Sequence, residues 1–311
     1  MVRPRSLIRA SAVLLALAPC AAQAQGPRPF DALLPAANAA APGTYAVNGT
    51  QLVAVPEASR IPVLVQADVI RGPERTARVG VAVAAEVTQP ADVRLVVAVA
   101  PKGGTPGAVV ADAGGSGPAG PLRLVREIVL EPGDYELRAI VGESRGGTGL
   151  VAVARSRFTV PDLRAAGLAV TPIVLGEADS AAAAGLKPFV FGKTTMAPAL
   201  SSRAPQSGSV SVAFRVYGWT ASGEEKPDLT VEYLFYERGA KGLHFFNKVK
   251  AQQLNGDTLG PSYDPSSGSV AAGMTIPLAA FTFGDFQLLV RVTDNRGQKS
   301  AERTVDFTVS P

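Results

Sequence analysis

The sequence predicts an all-β chain of two tandem β-sandwiches, and three observations carry that prediction. Apolar residues recur at every second position in many short runs, as in Val93, Leu95, Val97 and Val99, or Phe286, Leu288, Val290 and Val292; period 2 puts them on one face of a half-buried strand. Gly, Pro, Asn and Asp clusters separate these runs, and no helical periodicity intervenes, which favours an antiparallel sandwich over a parallel α/β sheet. One pattern also occurs twice. Gly133-Asp134-Tyr135 opens an alternating run that closes at Phe158-Thr159-Val160, and Gly284-Asp285-Phe286 opens one that closes at Phe307-Thr308-Val309. The aromatic spacings are 23 and 21 positions, a difference that one turn absorbs, so the chain reads as two copies of one supersecondary unit.

In order along the chain, residues 1–24 read as a secretory signal peptide: Arg3, Arg5 and Arg9, an apolar run from Ala10 to Ala18, then Ala22-Gln23-Ala24. The apolar run is too short to span a bilayer, and no later stretch is longer, so no transmembrane segment is expected. Pro19 directly before Cys20 argues against lipid attachment there. Cleavage after Ala24 would remove the single cysteine, leaving two hydrophobic cores in place of disulfides. An exported protein, periplasmic or extracellular, is the expectation. The 30 basic residues less three leader arginines leave 27 against 26 acidic ones, which lacks the electrostatic footprint of a nucleic-acid binder.

Residues 25–44 are rich in Pro and Ala and read as a linker or a short weak helix. The first sandwich is expected over 45–162. Asn48-Gly49 is a hairpin turn in which both positions tolerate positive φ, a stronger reading than the glycosylation sequon formed with Thr50. Strand-like runs follow at Val63 to Ile70, Val79 to Val87, Val93 to Val99 and Leu122 to Leu130. The Gly/Pro-rich stretch from Lys102 to Gly120 reads as a loop. Glu131 to Tyr135 has the form of a tyrosine corner, in which the phenol bonds to upstream backbone at a sandwich edge, and this makes immunoglobulin-like or fibronectin-III-like sandwiches the expected architecture. The second copy has Phe286 there, so ring packing alone must hold its corner.

Asp162 to Gly167 is short and polar and reads as the boundary between halves that fold independently. The second sandwich is expected over 167–311, with strands at Leu168 to Leu175, Val210 to Val216, Val231 to Phe235, Leu243 to Val249, Met274 to Leu278 and the repeated hairpin. Polar Asn247 marks the Leu243 to Val249 strand as short or at an edge. Gly176 to Gly208 is too long for a simple connection; it should hold an Ala-rich turn near Ala181 to Ala184 and an unassigned strand, or cover something.

Catalytic and metal chemistry finds little footing. His244 is the only histidine, which removes multi-histidine metal sites and most acid/base constellations. Gly192-Lys193-Thr194 would need a glycine at Lys187 to complete a phosphate loop, and Pro118 breaks the nucleophile-elbow pattern begun at Gly114. Asp257 and Asp264 lack the carboxylate spacing of a calcium loop. No enzyme, cofactor or metal is expected.

Pro227 to Tyr233, Gly284 to Phe286 and Val292 to Asn295, with Glu131 to Tyr135 and Val160 to Leu163 in the first copy, resemble the Ig-like C-terminal region of exported bacterial von Willebrand factor A-related proteins. The resemblance covers about Tyr45 to Val309. It implies an envelope or extracellular protein that binds or scaffolds. The A domain and its Asp-x-Ser-x-Ser metal motif are absent, so metal-dependent adhesion does not carry over.

Strand parity nominates a binding surface. With Val231, Tyr233 and Phe235 inward, Leu234 and Tyr236 point outward; the same reasoning puts His244, Phe246, Leu289 and Arg291 on the same side. These six residues form an expected patch for a protein partner, to be met by that partner or covered internally by Phe189 and Phe191 of the long connection. The alternative is a carbohydrate-binding or enzyme-accessory module presenting Tyr217 and Trp219.

Overall fold

The chain's computed structural model describes residues 31–311, apart from 50, 88–90, 105–108, 118, 146–147, 166, 179–188, 221–225, 261–262 and 265–267. The expected leader at 1–24 and the Ala-rich turn at Ala181 to Ala184 lie outside the described residues. A 3-10 turn at Asp31–Leu33 leads into a short helix, α1 (Leu34–Ala39). The strands of the first half are β1 (Gly43–Asn48), β2 (Gln51–Ala54), β3 (Val63–Arg71), β4 (Ala77–Val87), β5 (Ala91–Pro101), β6 (Val109–Gly117), β7 (Gly120–Leu130), β8 (Gly133–Arg145) and β9 (Thr148–Val160). They form a six-stranded sheet, ordered β2-β1-β9-β8-β5-β6, and a three-stranded one, β3-β4-β7.

The second half contributes β10 (Ala169–Val170), β11 (Val174–Ala178), β12 (Val190–Phe191), β13 (Thr194–Pro198), β14 (Arg203–Pro205), β15 (Ser209–Tyr217), β16 (Leu229–Gly239), β17 (Gly242–Lys248), β18 (Gln252–Leu254), β19 (Tyr263–Asp264), β20 (Ser269–Pro277), β21 (Gly284–Asp294) and β22 (Lys299–Ser310). The third sheet runs β12-β13-β11-β15-β20-β19, with β10 beside β15; the fourth runs β14-β22-β21-β16-β17, with β18 beside β16. The fold is all-β, as the alternating runs predict. Pairing is antiparallel except where β14 lies parallel to β22.

Period-2 alternation sends the two faces of a strand to different buried clusters, as in β4 and β15. Val65, Val69, Val79, Val81, Leu95, Val97, Leu137 and Val141 come from the first and second sheets and bury together; Leu175, Val212, Phe214, Tyr233, Phe235, Phe286, Leu288 and Val290 do so from the third and fourth. The repeated hairpins match at their open ends. Tyr135 pairs with Phe158 and Phe286 with Phe307, with ring centroids 5.7 and 5.6 Å apart. Thr159 Oγ1 donates to Asp134 at 2.7 Å, and Thr308 Oγ1 donates to Asp285 at 2.7 Å. Tyr135 Oη donates to the Glu131 carbonyl at 2.9 Å, as the corner requires; Tyr45 makes the same bond to Ala41 at 2.8 Å, which the sequence reading missed.

One expectation is corrected, and two segments gain contacts. The Lys102 to Gly120 loop contains β6, whose Gly- and Ala-rich sequence carries no apolar alternation. Described residues 31–44 hold the short helix α1 and the start of β1, the second of the two readings given for 25–44; Leu33 and Ala37 pack on Ile140, Val151 and Val153, and Arg155 donates to the Ala40 carbonyl at 2.5 Å. Burying one leucine in this way contributes about 2 kcal/mol. At the expected 162–167 boundary, Leu163 is buried in the first cluster, Arg71 Nη2 donates to its carbonyl at 2.7 Å, and a Cβ on Gly218 would lie 1.9 Å from the Gly167 oxygen.

The second and third sheets meet through their other faces. Gln66 and Asp68 alternate with Val65, Ala67 and Val69 and so point away from the first core. Gln66 caps both backbone groups of Leu175, donating Nε2–H to its carbonyl at 2.9 Å and accepting its N–H at 2.7 Å. Arg215 of β15 donates Nε–H and Nη2–H to the two Asp68 oxygens at 3.1 and 3.0 Å, and its guanidinium lies 4.7 Å from the Phe191 ring centre. Phe189, Phe191, Met196, Ala82, Val174, Ala213 and Ala271 complete the buried seam.

Candidate functional site

The outer face of the fourth sheet is built by strands whose inner residues fill the second core. On β16, Leu229, Val231, Tyr233 and Phe235 are buried, which turns Glu232, Leu234, Tyr236 and Arg238 outward. On β21 the same parity turns Gln287, Leu289 and Arg291 outward. Register joins them into rows, with Leu234 opposite Leu289 and Glu232 opposite Arg291, itself opposite Glu302 of β22.

At β17 the parity departs from expectation. Phe235 faces Asn247 but Tyr236 faces Phe245, so Phe246 is the extra residue of a β-bulge. The bulge turns Phe246 inward, where its ring centre lies 5.1 Å from Phe281 and 5.2 Å from Phe286. Phe245 therefore points outward, 54% exposed, against Tyr236 at 5.9 Å between ring centres, and Leu243 is 43% exposed. Of the six expected residues, Leu234, Tyr236, Leu289 and Arg291 share the outer face. Phe246 leaves it because of the bulge. His244 lies opposite Glu237 and holds its carboxylate at 3.1 Å, so it does not join the apolar strip. Leu243 and Phe245 take their places. The sequence signal was the Phe245-Phe246 doublet before Asn247, since adjacent aromatics cannot share a face of a regular strand.

Charged rows bound the apolar strip. At one end, Arg291 Nε donates to Glu302 at 2.7 Å, and Glu232 lies 3.7 Å away; the Glu302 hydrogen bond raises the Arg291 pKa further. At the other, Asp306 accepts from Gln287 at 2.9 Å and Arg238 at 3.3 Å. The expected cover is elsewhere, because Phe189 and Phe191 are committed to the seam between the second and third sheets.

The carbohydrate alternative loses one of its residues. Tyr217 is fully buried in the first core, its hydroxyl accepting the Arg71 N–H at 3.3 Å, so its ring is closed to a sugar. Trp219 is half-buried, packed edge-on to Tyr263 at 6.2 Å. Asp294 fixes the backbone beside it by accepting the Thr220 N–H at 2.7 Å. Burial pushes the Asp294 carboxyl up, but backbone N–H groups of Thr220, Gly297 and Arg296 outweigh it and hold the pKa below the ordinary range.

A cleft of about 220 Å³ lies beside Ala98 to Pro101, Gly103 and Gly104, with Glu136, Arg138 and Arg157 in its wall. Glu136 accepts from Arg138 at 3.2 Å and Arg157 at 3.3 Å, so the cations there already face a carboxylate. Among the described residues, no group of three His, Cys, Asp or Glu side chains is placed to hold a metal ion, and no helix is long and apolar enough to cross a membrane.

No family model matches the sequence, and no curated protein matches it. Among solved structures, red sea bream transglutaminase matches with 13% identity and a TM-score of 0.21, covering 79% of this chain and 31% of that one. The chain thus spans under a third of that enzyme's length, and a likeness at this level bears on neither fold family nor activity.

Proposed function

We propose that this chain is an exported, non-catalytic binding or scaffolding protein of the cell envelope or extracellular space, built of two tandem Ig-like sandwiches over 45–162 and 167–311. The observation that carries the proposal is the outer face of the fourth sheet. It joins Leu234, Tyr236, Leu243, Phe245 and Leu289 into one strip bounded by ion pairs, and a contiguous apolar area with an aromatic centre and a polar rim is the anatomy of a protein interface. The matched hairpins, each with a Gly-Asp-aromatic start and an Asp–Thr bond, support the tandem reading. The Arg-rich start and short apolar run of residues 1–24 support export.

The test compares the native chain with Phe245→Glu as bait in an envelope extract. A specific partner recovered by the native chain and lost with the variant, at unchanged melting temperature, is the expected result. Equal recovery by both would move the interface elsewhere. Selective glycan-array binding lost on Trp219→Ala would instead favour the carbohydrate-binding module.

A further inference from the structure

The strip ends at a free sheet edge. β17 bonds to β16 on one side only, and nothing among the described residues pairs with its other side. The hairpin closes through the two-residue loop Ala240-Lys241, with Gly239 opposite Gly242. In such a hairpin the pair flanking the loop exchanges both hydrogen bonds, and hydrogen-bonded and non-bonded pairs then alternate. Gly242 and His244 therefore direct their backbone groups to β16, while Leu243 and Phe245 direct their N–H and C=O groups to the open edge. The same two residues carry the exposed apolar side chains. A strand added here would place alternate side chains beside Leu243 and Phe245, extending the apolar strip.

Charge selects the occupant. Lys241, Lys248 and Lys250 are exposed along this edge, and no ion pair engages them among the described residues. The carboxylates of the adjoining β16 are engaged, Glu237 by His244 and Thr282 at 3.1 Å each and Glu232 by Arg291 at 3.7 Å. A second copy of β17 would bring these lysines against their own kind, and edge lysines are a known device against such self-pairing. An acidic strand faces no such penalty.

We propose that the free edge of β17 takes an extended acidic peptide segment, with apolar residues at alternating positions, as an added strand of the fourth sheet. The inference rests on reading the outer face as an interface and names the partner's chemistry.

The probe is fluorescein-labelled Asp-Glu-Val-Glu-Val-Glu-Asp, followed by anisotropy with the full chain. Saturable binding is expected, with none for a peptide bearing Lys at every acidic position. N-methylation of both Val nitrogens, which would face Leu243 and Phe245, should weaken binding by about tenfold or more; N-methylation of the Glu between them, whose N–H faces away, should not. The double variant Lys248→Glu, Lys250→Glu should also weaken it about tenfold. No binding of the parent peptide, or equal binding of the Val-methylated one, overturns the edge proposal. If Phe245→Glu still abolishes partner recovery in that case, the interface reading stands without it; if the peptide binds the edge and recovery is unaffected, the interface reading is the one that fails.

Discussion

Phe245 and Phe246 are neighbours in sequence with opposite fates, and the pair separates surface from core. Phe246→Glu would bury a charge among Phe281 and Phe286 and should cost about 3–5 kcal/mol in urea denaturation. Phe245→Glu, at an exposed ring, should stay within about 0.5 kcal/mol. Arg215→Met tests the seam. Burial pushes the Asp68 carboxyl up while Arg215 pulls it down, and removing the arginine strands a fully buried acid, at a cost of about 3 kcal/mol. Asp294 sets an acid limit. Its folded pKa lies below the unfolded value, so its contribution is complete above the ordinary carboxylate range and is lost as pH falls through the lowered value. Asp294→Asn should flatten the fall in stability seen by denaturation at decreasing acidic pH.

Among the elements, the repeated hairpins were legible because apolar alternation and a Gly-Asp-aromatic start coincide in β8 and β21. The β1–β2 hairpin and the edge position of β17 were legible from Gly49 and Asn247, but the turn was placed one residue early, since Asn48 belongs to β1 and pairs with Gln51 while Gly49 takes the positive φ. β6 was hidden because Ala111, Ala113, Gly114 and Gly115 carry no large side chain to mark a face, so its pairing with β5 comes from tertiary context. The bulge was hidden because a single extra residue leaves composition unchanged while reversing every side chain beyond it. That reversal moved the predicted patch from Phe246 to Phe245 and left four of its residues in place. The corner itself is testable: Tyr135→Phe removes the bond to Glu131 and should cost about 1 kcal/mol by thermal or chemical unfolding.

At the scale of the whole molecule, each half has a core that its own alternating strands announce, but the seam between the second and third sheets was not legible. Phe189 and Phe191 read as one alternative cover for the outer patch of the second sandwich, and nothing local ties Asp68 to Arg215, which lie 147 positions apart. The seam should couple the halves, so a fragment from Leu168 to Pro311 should melt below the full chain, with Phe189 and Phe191 newly exposed. Such coupling would leave the fourth sheet's outer face and the β17 edge as a fixed platform for a partner. Amide hydrogen exchange of the full chain with and without the Asp-Glu-Val-Glu-Val-Glu-Asp peptide tests that claim most directly. The account predicts that the Leu243 and Phe245 amides exchange rapidly in the free chain and become protected on peptide addition, while the core strands β15 and β21 are unchanged. Slow exchange at both amides in the free chain, or peptide protection that falls elsewhere, would contradict it.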